Sequence, residues 1–124
     1  MPNAINVLLI DDEVGFVDVL CKRLSKRGMT VTPAYSGTEA IQTLRKQDFD
    51  VAVLDLKLED MDGIEILRIF KKLVPAMPVI MLTGHGSEQA AQEGMASGAF
   101  DYLTKPSDLK DLVDIIRQAV RQER

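Results

Sequence analysis

Five polar side chains in this chain have types suited to a divalent cation or a phosphoryl group, and each closes a short apolar run. Asp11 and Asp12 follow Ile5–Ile10, Asp55 ends Val51-Ala52-Val53-Leu54, Thr83 follows Pro78–Leu82, and Lys105 comes just after Ala99–Leu103. Carboxylates gathered in a partly buried crevice repel one another, so they call for a cation. With no His or Cys beside the acids, a hard ion that prefers oxygen ligands fits best, Mg2+ above all. An ion held by so few carboxylates takes further ligands from a phosphate. An ammonium such as Lys105 pairs with a phosphoryl oxygen as a point charge, and a hydroxyl such as Thr83 gives a directed hydrogen bond. Each residue alone has a plainer role: Asp55 and Thr83 as turn residues, Lys105 in a surface ion pair. Taken as a set they describe a phosphoryl site.

The elements that must position these residues can be read from hydrophobic periodicity. Ile5–Ile10 forms strand one, and Val14, Val17, Leu20, Cys21 and Leu24 recur at helical spacing through a first helix over 13–27, with Gly28 as its left-handed stop. Thr30–Tyr35 contains Pro33, which lacks a ladder donor and so belongs on an edge strand. Ser36-Gly37-Thr38-Glu39 matches a capping box that opens a second helix running to about Lys46. Val51–Asp55 suits a central strand buried on both faces, followed by a turn-rich loop. Ile66, Leu67, Phe70, Leu73 and Val74 trace helix three, ended by Pro75, and Pro78–Leu82 forms strand four. Thr83-Gly84-His85-Gly86 leads to Ser87 as the cap of a fourth helix over 88–97, whose apolar side holds only Ala90, Ala91 and Met95 and which is therefore weakly held. Gly98 ends it, Ala99–Leu103 is strand five, and Ser107 caps a fifth helix carrying Leu109, Leu112, Val113, Ile116 and Val120.

Five strands alternating with five helices require a doubly wound parallel sheet with right-handed crossovers and helices on both faces, a flavodoxin-like α/β sandwich. With order 2-1-3-4-5, strands one and three meet at the switch point, where such sheets bind ligands. The 124 residues suit one domain over 1–124, with no room for a separate output domain. Composition is ordinary for a globular chain, at 46% hydrophobic and 27% charged, with an aliphatic core. A net charge of −4 and a pI near 4.9 argue against direct binding to nucleic acid or an anionic membrane, leaving protein or a cation as partner. Cys21 has no partner for an internal disulfide and reads as a small core residue. Met1-Pro2-Asn3-Ala4 lacks a signal-peptide pattern, so the cytoplasm is the simplest address.

Four motifs in order, Asp11-Asp12-Glu13, Asp55 with Met61-Asp62-Gly63, Leu82-Thr83-Gly84, and Gly98 to Pro106, give essentially the whole chain a resemblance to the receiver domains of two-component response regulators. The resemblance implies that Asp55 is the phosphoacceptor, taking its phosphoryl group from a sensor histidine kinase or a phosphotransfer protein. It implies further that Asp12, Asp55 and the backbone carbonyl of Lys57 ligate Mg2+, with Asp11 acting directly or through water. Thr83 and Tyr102 resemble the switch pair, Lys105 the phosphate partner, and Lys105-Pro106 a cis peptide. Glu59 stands where the family usually has Pro, which leaves the shape of the loop after Asp55 open. The end at Arg124 coincides with the end of such a fold, implying either a stand-alone receiver or one excised from a longer regulator, with an output domain, an output protein or a phosphorylation-dependent dimer as its effector.

Two other classes use related residues. Haloacid-dehalogenase-like aspartyl phosphatases also employ Asp, Thr, Lys and Mg2+, but place the nucleophile after the first strand in an Asp-x-Asp pattern, whereas here the lone Asp follows strand three. A flavin module of the same topology needs a Ser/Thr/Gly-rich phosphate loop where this chain has Asp11-Asp12-Glu13. Val19 falls opposite the core stripe of helix one and Phe16 lies at its border beside the acid cluster, either as a small docking patch for the kinase or as ordinary exposed apolar residues. Lys57 and His85, two residues beyond Asp55 and Thr83, flank the crevice and are expected to govern water access to a phosphoaspartate, although His85 also reads as a solvated loop residue.

Overall fold

In the strands, alternate apolar side chains are divided between two helical layers, which is why near-continuous apolar runs form strands here. The computed structural model describes residues 4–84 and 88–122, so His85, Gly86 and the expected Ser87 cap lie outside the described residues. Its elements are β1 (Ile5–Ile10), α1 (Val14–Ser25), β2 (Met29–Ala34), α2 (Gly37–Lys46), β3 (Val51–Asp55), α3 (Gly63–Leu73), β4 (Val79–Thr83), α4 (Glu88–Ala96), β5 (Asp101–Thr104) and α5 (Leu109–Gln122). All neighbouring strands are parallel, in the order β2-β1-β3-β4-β5.

Val7 and Leu9 of β1, Val51 and Val53 of β3, and Ile80 and Leu82 of β4 pack with Val17, Leu20 and Leu24 of α1 and Leu112, Val113 and Ile116 of α5. Leu8, Ile10, Ala52, Leu54, Val79 and Met81 point the other way, against Ala40 and Leu44 of α2 and Ile64, Ile66, Leu67 and Phe70 of α3. Phe70 is fully buried, and a side chain of that size contributes roughly 1.5–3 kcal/mol by leaving water. Cys21 is half-buried and packs on the α1/α5 layer. Burial, followed by the charge of Asp18, raises its thiol pKa. Among the described residues, no helix is long and apolar enough to cross a membrane.

Several boundaries differ from the sequence-based expectation for local reasons. Helix α3 starts at Gly63, ahead of the apolar stripe that traced it, because the Asp62 side chain accepts from the Ile64 N–H at 3.1 Å and caps an extra turn. Strand β5 starts at Asp101 because the Ala99 N–H is used in closing α4: it donates to the Gly94 carbonyl at 3.0 Å while Gly98 donates to Met95 at 3.2 Å. Gly98 sits at φ 107°, the left-handed position of this Schellman closure, where a side chain would be strained. Helix α5 starts at Leu109, and the Leu112 N–H bonds to the Asp108 carbonyl, so Asp108 flanks the helix and Ser107 does not. On α4 the expected inward Met95 is 40% exposed, while Gly94 is buried. A Cβ on Gly94 would lie 2.1 Å from the Met81 Sδ, so α4 approaches β4 through this glycine and Met95 is turned outward.

Candidate functional site

Strand register brings the polar strand ends together. Ile10 is paired with Leu54, which sets Asp11 and Asp55 side by side one residue further along, and Thr83 is paired with Thr104, next to Lys105. Asp11, Asp55 and Thr83 are the buried polar or charged residues among those described, at 0%, 6% and 2% exposure. Ligand oxygens of Asp11, Asp12 and Asp55 lie within 4.8 Å of one another. Over them stands the Lys105 ammonium, 2.6 Å from Asp11 Oδ2, 3.6 Å from Asp55 Oδ2 and 3.5 Å from Glu13 Oε1. The Lys105–Pro106 peptide is cis.

Backbone donors occupy one side of each carboxylate. Asp55 Oδ1 accepts from the Lys57 N–H at 3.1 Å, Asp12 Oδ2 from the Glu59 N–H at 3.2 Å, and Asp11 Oδ1 from the Glu13 N–H at 2.9 Å. With Lys105 also on Asp11 Oδ2, both Asp11 oxygens are engaged, whereas Asp12 and Asp55 each keep one oxygen clear of backbone donors. Three carboxylates against one ammonium, with no nitrogen or sulfur ligand in the cluster, fit a hard divalent cation. Burial raises the Asp55 pKa, the Lys57 N–H and Lys105 act in the opposite direction, and the charges of Asp11 and Asp12 raise it further. For Lys105, burial is the largest influence and disfavours the ammonium. The Asp11 hydrogen bond and the charges of Asp55, Asp11 and Glu13 together outweigh it and hold its pKa above the ordinary lysine value.

The remaining expected residues are placed less directly. Lys57 has an exposed side chain, while its backbone forms an isolated antiparallel bridge with Asp62. The Thr83 hydroxyl donates to the Leu103 carbonyl of β5 at 3.4 Å, and Tyr102 on that strand is 39% exposed. Glu59 supplies an N–H to Asp12 that a proline could not. The loop closes where the Gly63 N–H meets the Leu56 carbonyl at 3.1 Å, and a Cβ on Gly63 would fall 2.4 Å from the Leu56 Cα.

Two contributors were missed from the sequence. Phe16 does not simply border the core stripe of α1, since its ring lies 4.5 Å from the Lys105 ammonium. Its position shortly after the acid cluster was the available signal, but its meeting with Lys105, just beyond β5, depends on the whole sheet order. Asp60, read as part of a turn, accepts from the Gly37 N–H at 2.9 Å, the Thr38 N–H at 3.0 Å and the Thr38 hydroxyl at 2.9 Å. These bonds, the Gly37 N–H first, lower its pKa.

An open parallel sheet whose strand ends gather acids, a hydroxyl and a lysine around one aspartate suits a hard cation and a phosphoryl group. The chain belongs to the response regulator receiver domain family, which matches residues 7–117. It is 38% identical over 117 residues to the transcriptional regulatory protein GlrR of Escherichia coli K12, covering 94% of this chain and 26% of that protein. It is 36% identical over 120 residues to the transcriptional regulatory protein ZraR of Salmonella typhimurium, covering 97% and 27%. The chain thus spans about a quarter of the length of these relatives. A receiver domain structure from Clostridium thermocellum superposes with a TM-score of 0.93 at 36% identity, covering 96% of each chain.

Proposed function

We propose that this chain accepts a phosphoryl group on Asp55 from a histidine kinase or phosphotransfer protein and changes its surface in response. The observation that carries this reading is the position of Asp55 at the end of β3. One oxygen is anchored by the Lys57 N–H, and the other lies 3.6 Å from the Lys105 ammonium, beside Asp12. The anchored carboxylate presents its second oxygen as a nucleophile in a fixed orientation. As the new O–P bond forms, the N–P bond of the partner's phosphoimidazole breaks, its electron pair returns to the ring nitrogen, and that nitrogen takes up a proton. Lys105 and the Thr83 hydroxyl are the groups of this chain that meet the charge on the phosphoryl oxygens. Asp12, Asp55 and the Lys57 carbonyl, with Asp11 directly or through water, would hold Mg2+, which would supply the positive charge that carboxylate and phosphoryl together lack.

After transfer, the new charge at Asp55 competes with the Leu103 carbonyl for the Thr83 hydroxyl, and Tyr102 turns into the vacated space. The output surface is the face of α4, β5 and α5, where α4 buries little beyond Ala91 and Gly94 and moves at low cost. The relatives are named transcriptional regulatory proteins, which supports 1–124 as the receiver unit of a cytoplasmic transcriptional regulator, acting through an output domain, an output protein or a phosphorylation-dependent dimer and without touching DNA itself. The reading is tested by intact-mass analysis after incubation with a small phosphodonor and Mg2+. Wild type gains one phosphoryl group and Asp55→Asn gains none; equal labelling of the two overturns the assignment.

A further inference from the structure

We infer that Asp60 is a positioning residue for the Mg2+ site, tying the loop after Asp55 to the first turn of α2; this rests on the reading of Asp11, Asp12 and Asp55 as that site. Between Asp55 and α3 the loop has two kinds of attachment. The Lys57 and Glu59 N–H groups donate to Asp55 Oδ1 and Asp12 Oδ2, the carboxylates that must turn toward a cation. These attachments therefore run through the ligating carboxylates themselves, each of which keeps its other oxygen clear for the ion. Asp60 depends on none of the clustered acids: its two oxygens take the Gly37 N–H at 2.9 Å and the Thr38 N–H and hydroxyl at 3.0 and 2.9 Å. Ser36 takes the next free donor, the Glu39 N–H, at 3.1 Å, so the open end of α2 is shared between its own cap and the loop.

A second observation shows that the two segments are seated together. Gly37 is buried, and a Cβ there would lie 2.9 Å from the Met61 Sδ and 2.7 Å from the Ile66 Cδ1. Residues 60 and 61 of the loop thus lie against the start of α2, one through hydrogen bonds and the other through packing. Lys57, whose carbonyl is the proposed ligand, is held between this seat and Asp55 by its bridge to Asp62. With the Asp60 tie intact, the loop and the Lys57 carbonyl keep their path independently of the carboxylates that meet the cation.

The test compares Asp60→Ala, Asp60→Asn and Ser36→Ala by isothermal titration with Mg2+ and by amide hydrogen exchange of the metal-free proteins. Asp60→Ala is expected to weaken Mg2+ binding roughly ten-fold, the low end of the range for residues that support metal ligands. Asp60→Asn falls between it and wild type, because an amide oxygen can accept from one of the two N–H groups while its nitrogen cannot accept from the other. Ser36→Ala opens the same helix end without touching the loop and leaves Mg2+ affinity at the wild-type value. In the metal-free state, exchange at Lys57, Glu59 and Gly63 accelerates in the Asp60 variants only. Wild-type affinity in Asp60→Ala, or equal weakening by Ser36→Ala, overturns the inference alone. A wild-type protein that binds no Mg2+ overturns the site reading beneath it.

Discussion

Replacing Asp55 with Asn is expected to stabilise the metal-free protein at neutral pH, even though it removes the proposed phosphoacceptor. Oxygens of Asp11 and Asp12 lie within 4.8 Å of Asp55, and at an effective dielectric near 20 each opposes its negative charge by about 3.5 kcal/mol. Lys105 at 3.6 Å offsets about 4.6 kcal/mol on the same scale. The balance is unfavourable to the charge by about 2 kcal/mol, and burial adds to it. Asn keeps the oxygen that accepts the Lys57 N–H, and Lys105 keeps Asp11. A gain of about 1–2 kcal/mol over 124 residues, with an unfolding entropy near 2.1 cal/mol/K per residue, raises the melting temperature by about 4–8 °C. The sign with pH follows from the raised Asp55 pKa. The protonated carboxyl contributes stability below the unfolded value of ~3.9, and this is lost as pH rises through the higher folded value, so the advantage of Asn opens above pH ~4. Thermal unfolding followed by circular dichroism in chelator reads this directly. Saturating Mg2+ then narrows or reverses the gap, because an ion at 100 times its Kd stabilises wild type by about 2.7 kcal/mol. An Asn variant less stable than wild type in chelator at pH 7 would refute the reasoning.

Other substitutions probe other parts of the site. Lys105→Met leaves the fully buried Asp11 without its cation and is expected to cost about 3 kcal/mol at pH 7. Because the folded Lys105 pKa is raised, this contribution is full below ~10.4 and disappears as pH rises through the folded value, so chemical denaturation of the pair should converge at high pH. Gly63→Ala places a Cβ against the Leu56 backbone and is expected to cost about 1–3 kcal/mol, with a matching drop in the urea midpoint. Val19 is 51% exposed and, with Phe16, lines a groove of about 200 Å³ between α1 and α5. Val19→Asp should slow transfer from the kinase and leave labelling by small phosphodonors unchanged. With a beryllofluoride mimic, amide exchange in β4 and β5 should change far more than in α2, and Thr83→Ala should abolish that response.

Much of this architecture was legible because each strand presents alternate residues to two apolar layers. The runs ending at Ile10, Leu54 and Leu82 therefore had to be strands, and Pro33 had to lie on an edge. Their C-terminal residues then converge through parallel register, which is why Asp11, Asp12, Asp55 and Lys105 could be grouped before any distance was known. What escaped depended on contacts between distant segments. The turn-like Asp62-Gly63 pair proved to be the cap and first residue of α3, fitted against Leu56. Periodicity could not choose between Gly94 and Met95 on a helix as short and polar as α4, and the Met81 side chain decided it. Asp60 and Phe16 find their partners across the fold, Asp60 on the first turn of α2 and Phe16 on a lysine beyond β5, and no local pattern names either partner.

The most direct test of the central claim is chemical mapping of the phosphorylated residue. Protein treated with a small phosphodonor and Mg2+ is reduced with borohydride, which converts an aspartyl phosphate to homoserine, and is then digested and sequenced by mass spectrometry. Homoserine at position 55, dependent on Mg2+ and absent when the phosphodonor is omitted, is the expected result. Homoserine at position 11 or 12, or its absence from an otherwise fully mapped chain, would contradict the assignment of Asp55 as the phosphoacceptor.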